Sequence, residues 1–361
     1  KNPKDRSPWD YLSSGGRTRT DGLRVMSPTS YQLLHPAIWT AKVQQKIKTH
    51  KSRGVPQKSP TFAAMSKPHK SGFVNLIGHP NVGKSTLANA LVGERLSIIT
   101  PKAQTTRHRI FGILNGENEQ CDYQVVFSDT PGVLDPAYEL QERMLDAVRD
   151  ALKDADVFLY VVELGEGPLK NEGLFKHLET TKTPVLLLLN KIDLKDQAML
   201  EAEVVKWNER LPNAEVIPIS ALNRFNLDYL MARILELIPE GPAYFEKDQL
   251  TDRSERFVAS EIIREQILMR YQKEVPYSVE VGIDTFEEGE DIHKIRAVLY
   301  VARESQKGII IGHKGAAIKA VGIGARKAME AFFQRQVHLE LFVKVQADWR
   351  DNARTLKQFG Y

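Results

Sequence analysis

Residues 78–85 read GHPNVGKS, directly after the apolar run FVNLI at 73–77. The spacing G-x-x-x-x-G-K-S is that of a phosphate-binding loop, whose glycines let successive backbone N–H groups point at phosphate oxygens. A helix starting near Ser85 would aim its positive end at the same phosphates. In such loops the lysine, here Lys84, reaches the β- and γ-phosphates, and the serine hydroxyl ligates Mg²⁺. Because a predicted strand precedes the motif and a helix follows it, the sequence predicts a nucleoside triphosphate site rather than a chance glycine turn.

Two later apolar runs end in motifs that specify the nucleotide further. DTPG at 129–132 follows YQVVF; we expect Asp129 near Mg²⁺ and the Gly132 N–H as a sensor of the γ-phosphate. NKID at 190–193 follows VLLLL. The carboxylate of Asp193 can accept two hydrogen bonds from guanine, a donor pair that adenine lacks. The sequence therefore predicts GTP, and not ATP, as the ligand.

Neighbouring residues complete the expected base site. Asn190 is expected to tie its segment to the phosphate-binding loop, and the stem of Lys191 to cover the base. SAL at 220–222 follows another apolar run, and the Ala221 N–H is expected to bind guanine O6. All of these motifs follow predicted strands, where open α/β sheets bind their ligands.

The segment KAQTTRHR at 102–109 lies between the phosphate-binding loop and Asp129. A threonine hydroxyl here would complete the Mg²⁺ shell and order a switch loop only when the γ-phosphate is present. We expect Thr106 in this role, with Thr105 as the alternative; an ordinary surface threonine pair is the competing interpretation.

Val133 stands where many regulatory GTPases carry a glutamine that orients water. Valine cannot polarise water, so the sequence predicts slow intrinsic hydrolysis. An activator, a potassium ion held by the switch segment or an ordered water network would have to compensate.

These expectations give a residue set for each part of the site. The residues expected in catalysis are Lys84, Thr106 and Gly132, and those expected to ligate Mg²⁺ are Ser85, Thr106 and Asp129. GTP and GDP, as substrate and product, are expected to be bound by Gly78, His79, Pro80, Asn81, Val82, Gly83, Lys84, Ser85, Thr86, Asp129, Thr130, Pro131, Gly132, Val133, Asn190, Lys191, Ile192, Asp193, Ser220, Ala221 and Leu222.

Apolar runs and helical patterns alternate from residue 71 to 239. The runs are rich in β-branched residues and leucine with little alternation, as in strands buried on both faces. This predicts an α/β GTPase domain with a mainly parallel sheet and helices on both faces. Residues 240–252 contain proline and glycine and are expected to be a linker. Residues 253–361 then predict an α+β domain: a helix, two strands, a Gly-rich loop, a helix and a last strand.

The stretch QKGIIIGHKGA at 306–316 contains G-x-x-G with a basic pair inside. KH domains clamp about four nucleotides against such a loop, because glycines allow the sugar–phosphate backbone to approach closely. A turn at the start of a helix is the usual alternative for G-x-x-G alone. The surrounding helices, strands and basic residues favour RNA binding, with apolar residues 309–311 and Ile318 as a floor under the bases. The expected RNA-binding residues are Lys307, Gly308, Ile311, Gly312, His313, Lys314, Gly315 and Lys319.

With these motifs in hand, residues 71–351 resemble the Era family of bacterial ribosome-assembly GTPases. The five nucleotide segments (78–85, 104–108, 129–132, 190–193 and 220–222) match that family's motifs. Four further stretches resemble its C-terminal type II KH domain: ERF at 255–257, EIIRE at 261–265, PYS at 276–278 and KGIIIG at 307–312. The resemblance implies binding of the 3′ end of 16S rRNA, assistance to 30S subunit biogenesis and peripheral contact with the inner membrane. It implies a protein of the cytoplasm, and we expect a monomer.

Two other classes of function compete with this hypothesis. The first is a signalling GTPase whose second domain is a protein adaptor, which the basic G-x-x-G loop disfavours. The second is an RNA-binding protein with a vestigial nucleotide fold, which the intact Lys84, Asp129 and Asp193 disfavour. No apolar run reaches the roughly 20 residues needed to span a bilayer. The single cysteine, Cys121, excludes an internal disulfide and fits a reducing compartment.

Residues 1–70 differ from the rest in composition and are expected to form a basic N-terminal extension. The first 65 residues carry 12 Lys/Arg against three acidic residues, so the remainder has a net charge of −5 within a total of +4. A transit peptide, a disordered RNA-touching tail, and a non-native or mis-assigned start ahead of Met65 are the three interpretations. We favour the last, because Met65 leads directly into the first predicted strand.

Overall fold

The first strand begins at His69, just ahead of the predicted boundary at residue 71. The computed structural model describes residues 67–361, all within one compact unit. The predicted extension 1–70, apart from its last residues, and the interpretations attached to it therefore lie outside the described residues.

An α/β domain occupies the first part of the described chain, up to Leu237. Its strands are β1 His69–Ile77, β2 Ile110–Glu117, β3 Asp122–Asp129, β4 Val157–Glu163, β5 Val185–Asn190 and β6 Ala214–Pro218, and its helices are α1 Lys84–Val92, α2 Glu139–Ala151, α3 Glu172–Thr180, α4 Gln197–Arg210 and α5 Leu227–Leu237. The sheet order is β2-β3-β1-β4-β5-β6, with β2 antiparallel to β3 and the other neighbours parallel. This confirms the predicted mainly parallel sheet.

Both faces of this sheet are covered, as the apolar runs predicted. On β4, Phe158 and Leu159 are both fully buried but belong to different hydrophobic clusters. Leu159 packs with residues of α1 and α5, and Phe158 with residues of α2, α3 and α4. Because the paired strands β3, β1, β4, β5 and β6 run parallel, their C-terminal ends, and hence the polar motifs that follow them, lie at one edge of the sheet.

The predicted linker 240–252 lies bonded along the α/β domain. The Gln124 side chain of β3 donates to the Phe245 carbonyl and accepts from the Tyr244 N–H, at 2.9 and 2.7 Å. Further along, the Leu250 carbonyl accepts from the Ile113 N–H of the edge strand β2 at 2.8 Å. The linker therefore covers part of that edge, where backbone groups would otherwise lack partners.

The second domain has the order helix–strand–strand–helix–helix–strand of a type II KH domain. Its elements are α6 Glu255–Arg270, β7 Val279–Glu287, β8 Ile292–Val301, α7 Glu304–Ile311, α8 Ala316–Phe333, β9 Gln336–Val345 and the C-terminal α9 Ala353–Gln358. In its sheet, β8 pairs antiparallel with β7 and parallel with β9. No helix among residues 67–361 is long and apolar enough to cross a membrane.

One element of the KH domain differs from the sequence expectation. Residues 309–311 were expected as an apolar segment flooring a groove, but they form the last turn of α7. Gln306 caps this helix by accepting from the backbone N–H of Arg303 at 3.1 Å. Three consecutive isoleucines show no periodicity, so the sequence could not separate a helix end from an extended segment.

Candidate nucleotide site and RNA groove

The phosphate-binding loop joins β1 to α1 and takes its shape from residues in the left-handed region. Asn81 has φ 66° and Gly83 has φ 100°. A Cβ at Gly83 would lie 2.4 Å from the amide nitrogen of Asn190, so glycine is required by space as well as by conformation. The loop thus packs directly against the NKID segment.

Lys84 lies buried in this loop and folds back on its carbonyls. Its Nζ donates to the carbonyls of Gly78 at 3.0 Å and His79 at 2.8 Å. Burial lowers the pKa of Lys84 to about 8, and the nearby Asp129 and Glu166 carboxylates partly offset this effect. Because phosphate charge favours the ammonium form, a nucleotide would stabilise the protonated lysine.

Three oxygen-bearing side chains meet beside Lys84. The Ser85 and Thr106 hydroxyls are 2.9 Å apart, and the Thr106 hydroxyl is 3.5 Å from Oδ2 of Asp129. The Thr105 hydroxyl bonds elsewhere, to Thr100 and to the carbonyl of Lys102. The structure thus brings Thr106, and not its neighbour, to the other two expected metal ligands.

Asp129 fits a cation at this point. Its side chain is 1% exposed, and Oδ1 has no hydrogen-bond partner among residues 67–361. Burial raises the pKa of this carboxyl group. An oxygen-preferring cation such as Mg²⁺ would supply the missing partner and restore the ionised form.

The NKID and SAL segments meet at the ends of β5 and β6. Asn190 donates to the Val82 carbonyl at 2.7 Å and accepts from the Ala221 N–H at 3.0 Å. Asp193 is exposed, and its Oδ1 accepts from the Ser220 hydroxyl at 2.6 Å. The Ala221 N–H, expected to bind guanine O6, is thus already used by Asn190, and O6 would have to share that donor.

Lys191 lies at the pocket wall with a left-handed backbone. Its φ is 63°, and its Nζ pairs with Glu163 at 2.6 Å. Lys191 lines the nucleotide pocket, and its expected role as a cover of the base stays a prediction. The next residue, Ile192, is buried, whereas Leu222 is 77% exposed.

Gly132 and Val133 have different surroundings. A Cβ at Gly132 would lie 2.6 Å from the backbone of Pro80, so this segment touches the phosphate-binding loop. The Val133 N–H donates to the Gly78 carbonyl at 3.0 Å, but its side chain is 2% exposed and packs in the core with Ile77. Position 133 therefore directs its side chain into the core of the domain.

The nucleotide pocket is lined by nine of the 21 residues expected to bind GTP, whereas the expected base-site residues Asn190, Asp193 and Ala221 do not line it. Its lining is Pro80, Asn81, Gly83, Lys84, Ser85, Thr86, Ile98, Ile99, Thr100, Gln104, Thr105, Thr106, Thr130, Gly132 and Lys191. Ile98 and Ile99 were not predicted, since an apolar pair after a helix carries no pattern that marks a ligand. The expected residues Val82 and Ile192 are buried in the fold, and Thr130 bonds to the Leu76 carbonyl.

The G-x-x-G loop of the second domain lies between α7 and α8. Gly312, Lys314 and Gly315 have φ of 70°, 49° and 77°. His313 and Lys314 are exposed at its tip. A Cβ at Gly312 would lie 2.6 Å from that of Ala317, so glycine permits the tight turn onto α8.

A groove of about 300 Å³ lies beside α8 and β9. It is lined by Ile318, Lys319, Gly322, Ile323, Arg326, Leu339 and Leu341. Ile318 and Lys319 were expected near RNA. Ile309, Ile310 and Ile311 were expected in its floor and are absent from its lining: Ile310 is fully buried in the core, Ile309 is exposed on α7, and Ile311 is the last residue of that helix. Leu339 and Leu341 replace them, and the two-residue alternation of the last strand was the signal that could have found them.

Alongside the groove, α8 packs into the core of the domain through Val321, Ala325 and Met329, which are buried. Phe332, near the end of the same helix, is 36% exposed.

The phosphate-binding loop, the cluster of Ser85, Thr106 and Asp129, and the NKID segment lie together in the first domain, and a domain with a G-x-x-G loop and a neighbouring groove follows. This arrangement is that of a P-loop GTPase joined to a KH domain. The chain matches the family model described as 50S ribosome-binding GTPase over residues 73–191 and the KH domain model over 274–350. It is 42% identical over 299 residues to GTPase Era of Thermoanaerobacter sp. strain X514, and 45% over 295 residues to that of Syntrophus aciditrophicus strain SB. These alignments cover 81% of this chain and 97% and 95% of the relatives.

Solved structures give the same result. Two are similar to this chain with a TM-score of 0.77 and 38% identity, covering 81% of this chain and 99% of each. One is Era in complex with MgGDPNP and nucleotides 1506–1542 of 16S ribosomal RNA, and the other is an Aquifex aeolicus Era variant bound to GDP·AlF4⁻. The chain belongs to the Era family of GTPases, enzymes that convert GTP and water to GDP and phosphate.

Proposed function

We propose that this protein is a guanine-nucleotide switch that binds the 3′ end of 16S rRNA through its KH domain and assists 30S subunit biogenesis. The observation that carries the proposal is the groove beside the G-x-x-G loop, in the same compact unit as the nucleotide site. The relative solved with nucleotides 1506–1542 of 16S rRNA supports the choice of RNA.

The groove suits single-stranded RNA. The exposed His313 and Lys314 would face phosphate at the tight loop, and Lys319 and Arg326 continue the positive charge along α8. Ile323 and Leu341 offer an apolar surface on which bases can lie. Single-stranded RNA is recognised in this way, with splayed bases against an apolar platform and backbone phosphates against basic side chains.

At the nucleotide site we assign Ser85, Thr106 and Asp129 to Mg²⁺, because their oxygens converge and one Asp129 oxygen lacks a partner within the described chain. Mg²⁺, when bound, neutralises charge on the β- and γ-phosphate oxygens. Lys84 would turn from the loop carbonyls to the phosphates. The Gly132 N–H would bond the γ-phosphate, and Asp193 would select guanine.

Hydrolysis is proposed to be slow without help. The side chain at 133 lies in the core, so it contributes neither a base nor a water-orienting amide. Attack of water on the γ-phosphate would then depend on charge stabilisation by Lys84, the Gly132 N–H and the bound Mg²⁺, with no water-orienting side chain at position 133. A single-turnover rate of the isolated protein near ~10 s⁻¹, typical of efficient enzymes, would contradict this proposal.

In the cell we propose a monomer in the cytoplasm that acts on the 30S subunit and touches the inner membrane only peripherally. The family resemblance supports these assignments. Sedimentation of the protein with isolated subunits and with vesicles of bacterial lipid would test them separately.

The function is tested by crosslinking the protein to total RNA in the presence of GTP or GDP. We expect the 3′ end of 16S rRNA to be recovered, in amounts that depend on the nucleotide. The variant His313→Asp/Lys314→Asp should lose this RNA while keeping GTP affinity, with Lys344→Asp, on the far face of β9, as the matched control. RNA affinity unchanged in the loop variant would remove the main support for the proposal.

A further inference from the structure

The segment that carries Thr106 contacts the KH domain on both sides of that residue. Ahead of it, the Ile99 N–H donates to Glu265 at 3.2 Å, and the Lys102 ammonium donates to the Tyr271 carbonyl. The Thr105 carbonyl accepts from Arg264, which is itself paired with Glu261 on the same KH helix. The chain just before Thr106 is therefore held by α6.

Directly after Thr106, the Arg107 side chain is buried entirely among KH residues. Its guanidinium donates to the Val279 carbonyl at 2.9 Å and to the Glu280 carboxylate at 2.7 Å. The Tyr361 hydroxyl donates to the same carboxylate oxygen at 2.8 Å. The Tyr361 ring stacks on His108, with centroids 4.3 Å apart. We call Arg107, Glu280 and Tyr361 the latch.

The DTPG segment, whose Gly132 is expected to sense the γ-phosphate, is followed by a helix that also packs against the C-terminal region. Helix α2, which follows Gly132, directs Leu140 and Met144 onto Trp349 and Leu356, and all four side chains are at most 1% exposed. Both segments that would sense the γ-phosphate therefore use parts of the KH domain as packing partners.

We propose that the latch is a positioning device that holds Thr106 where it ligates Mg²⁺, so that docking of the KH domain selects GTP over GDP. This inference rests on the proposed role of Thr106. Thr106 contacts Ser85 and Asp129 while its neighbour Arg107 is fixed in the KH sheet. A shift of the KH strand would therefore move the backbone that carries the metal ligand. None of Arg107, Glu280 and Tyr361 lines the nucleotide pocket.

The latch is suited to two discrete states because its charges are buried. Arg107 is fully buried and Glu280 is 9% exposed, so parting them inside the protein would leave uncompensated charges. The pair is therefore either formed or released to water as a unit. By linkage, any preference of the docked state for GTP means that GTP favours docking by the same factor.

The test is the affinity of two latch variants, Arg107→Gln and Tyr361→Phe, for a non-hydrolysable GTP analogue and for GDP, each with Mg²⁺. Thr106 acts only when a γ-phosphate is present. We therefore expect about a tenfold loss of analogue affinity, within the range typical of allosteric coupling, and GDP affinity within about twofold of wild type. Arg296→Gln is the matched control, since Arg296 also pairs with a KH glutamate, Glu340, but at the surface.

A double-mutant cycle with Thr106→Ala separates positioning from general support of the fold. If the latch acts through Thr106, the latch variants should have no further effect in the Thr106→Ala background. Additive effects, or equal weakening of analogue and GDP, would overturn the proposal. If Arg107→Gln fails to fold, Tyr361→Phe, which removes one hydroxyl, decides alone.

The same experiment distinguishes failure of this inference from failure of the proposed function. If Thr106→Ala itself leaves the preference for the GTP analogue unchanged, the Mg²⁺ role of Thr106 is wrong. If Thr106→Ala removes that preference and the latch variants do not, the Mg²⁺ role stands and the latch proposal is wrong.

Discussion

The Asp193 carboxylate is exposed at the end of β5, with one oxygen bonded to Ser220. Replacement by Asn removes the negative acceptor that guanine N1–H and its amine need and introduces an amide donor. We expect the GTP Kd to rise by at least about 100-fold, since two hydrogen bonds to a charged group are lost. Xanthosine triphosphate, with a carbonyl in place of the amine, should gain affinity.

Titration of fluorescent guanine and xanthine nucleotides measures this change. Asp196→Asn is the control, because Asp196 caps α4 through the Met199 N–H and Asn caps as well. Unchanged GTP affinity in Asp193→Asn would place the base elsewhere.

Val133 gives a second prediction at this scale. Its side chain is in the core, so Val133→Gln would bury an amide without partners and cost about 1–3 kcal/mol of unfolding free energy. The single-turnover rate of GTP hydrolysis should not rise. Val133→Ile serves as the apolar control in thermal unfolding, and a tenfold faster hydrolysis in the Gln variant would show that the side chain reaches the nucleotide.

Sequence patterns located the polar residues of the site because most of them lie at or directly after the end of a strand, and an apolar run marks that strand in the sequence. Asn190, for example, begins the NKID motif after an apolar run, and its side chain donates to the phosphate-binding loop as expected. The same patterns could not show that Arg107 is buried, since its partners Val279 and Glu280 are distant in sequence. An arginine in a polar segment looks like a surface residue until the second domain is docked.

At the scale of elements, α6 carries an ion pair that links stability to pH. Burial alone would raise the pKa of Glu261, but Arg264 outweighs it and the net shift is downward. A carboxyl whose pKa is lower in the folded state contributes stability above its unfolded pKa of about 4.3 and loses it as pH falls through the folded value. Acidification from pH 5 to 3 should therefore destabilise the fold in part through Glu261.

The measurement is the thermal midpoint of wild type and Glu261→Gln across this pH range. The variant should be less stable at neutral pH, because Arg264 is left buried without its partner. The difference should shrink toward pH 3. Glu139→Gln, from the partly exposed pair with Arg143, should show little pH-dependent difference. A stability difference for Glu261→Gln that stays constant with pH would contradict a lowered pKa of Glu261 in the folded protein.

Elements were predictable where their pattern was long. The parallel strands of the six-stranded sheet and α8 were predicted, whereas α7 was not, since its Ile-rich turn has no period. The antiparallel β2 was also missed: its sequence, IFGILNGE, contains two glycines and lies partly under the linker. Its edge is completed by residues far along the chain, which local patterns do not report.

At the scale of the whole molecule, charge distribution governs how RNA is bound. The chain beyond residue 65 has a net charge of −5, so the basic groove must work against a negative body. For about four phosphates contacted in single-stranded RNA, log K should fall with log salt at a slope of about −3. Lys314→Gln should make that slope less steep by about 0.7.

Binding of a 16S 3′-end oligonucleotide at several salt concentrations measures both slopes. Lys344→Gln, on the opposite face of β9, is the control. A slope unaffected by Lys314→Gln would mean that the loop does not touch phosphate.

The bonded linker has a mechanical consequence. Gln124 and Ile113 fix residues 244–250 to the sheet, and Arg253 donates to the Arg109 carbonyl, so the free tether before Ser254 is almost nil. A KH domain released from its contacts would stay anchored at Ser254 and could move only by pivoting about that point, and short tethers of this kind give effective concentrations in the millimolar range or above. The released KH domain would therefore rebind the GTPase domain quickly. An RNA that binds the released domain would have to compete with this rebinding.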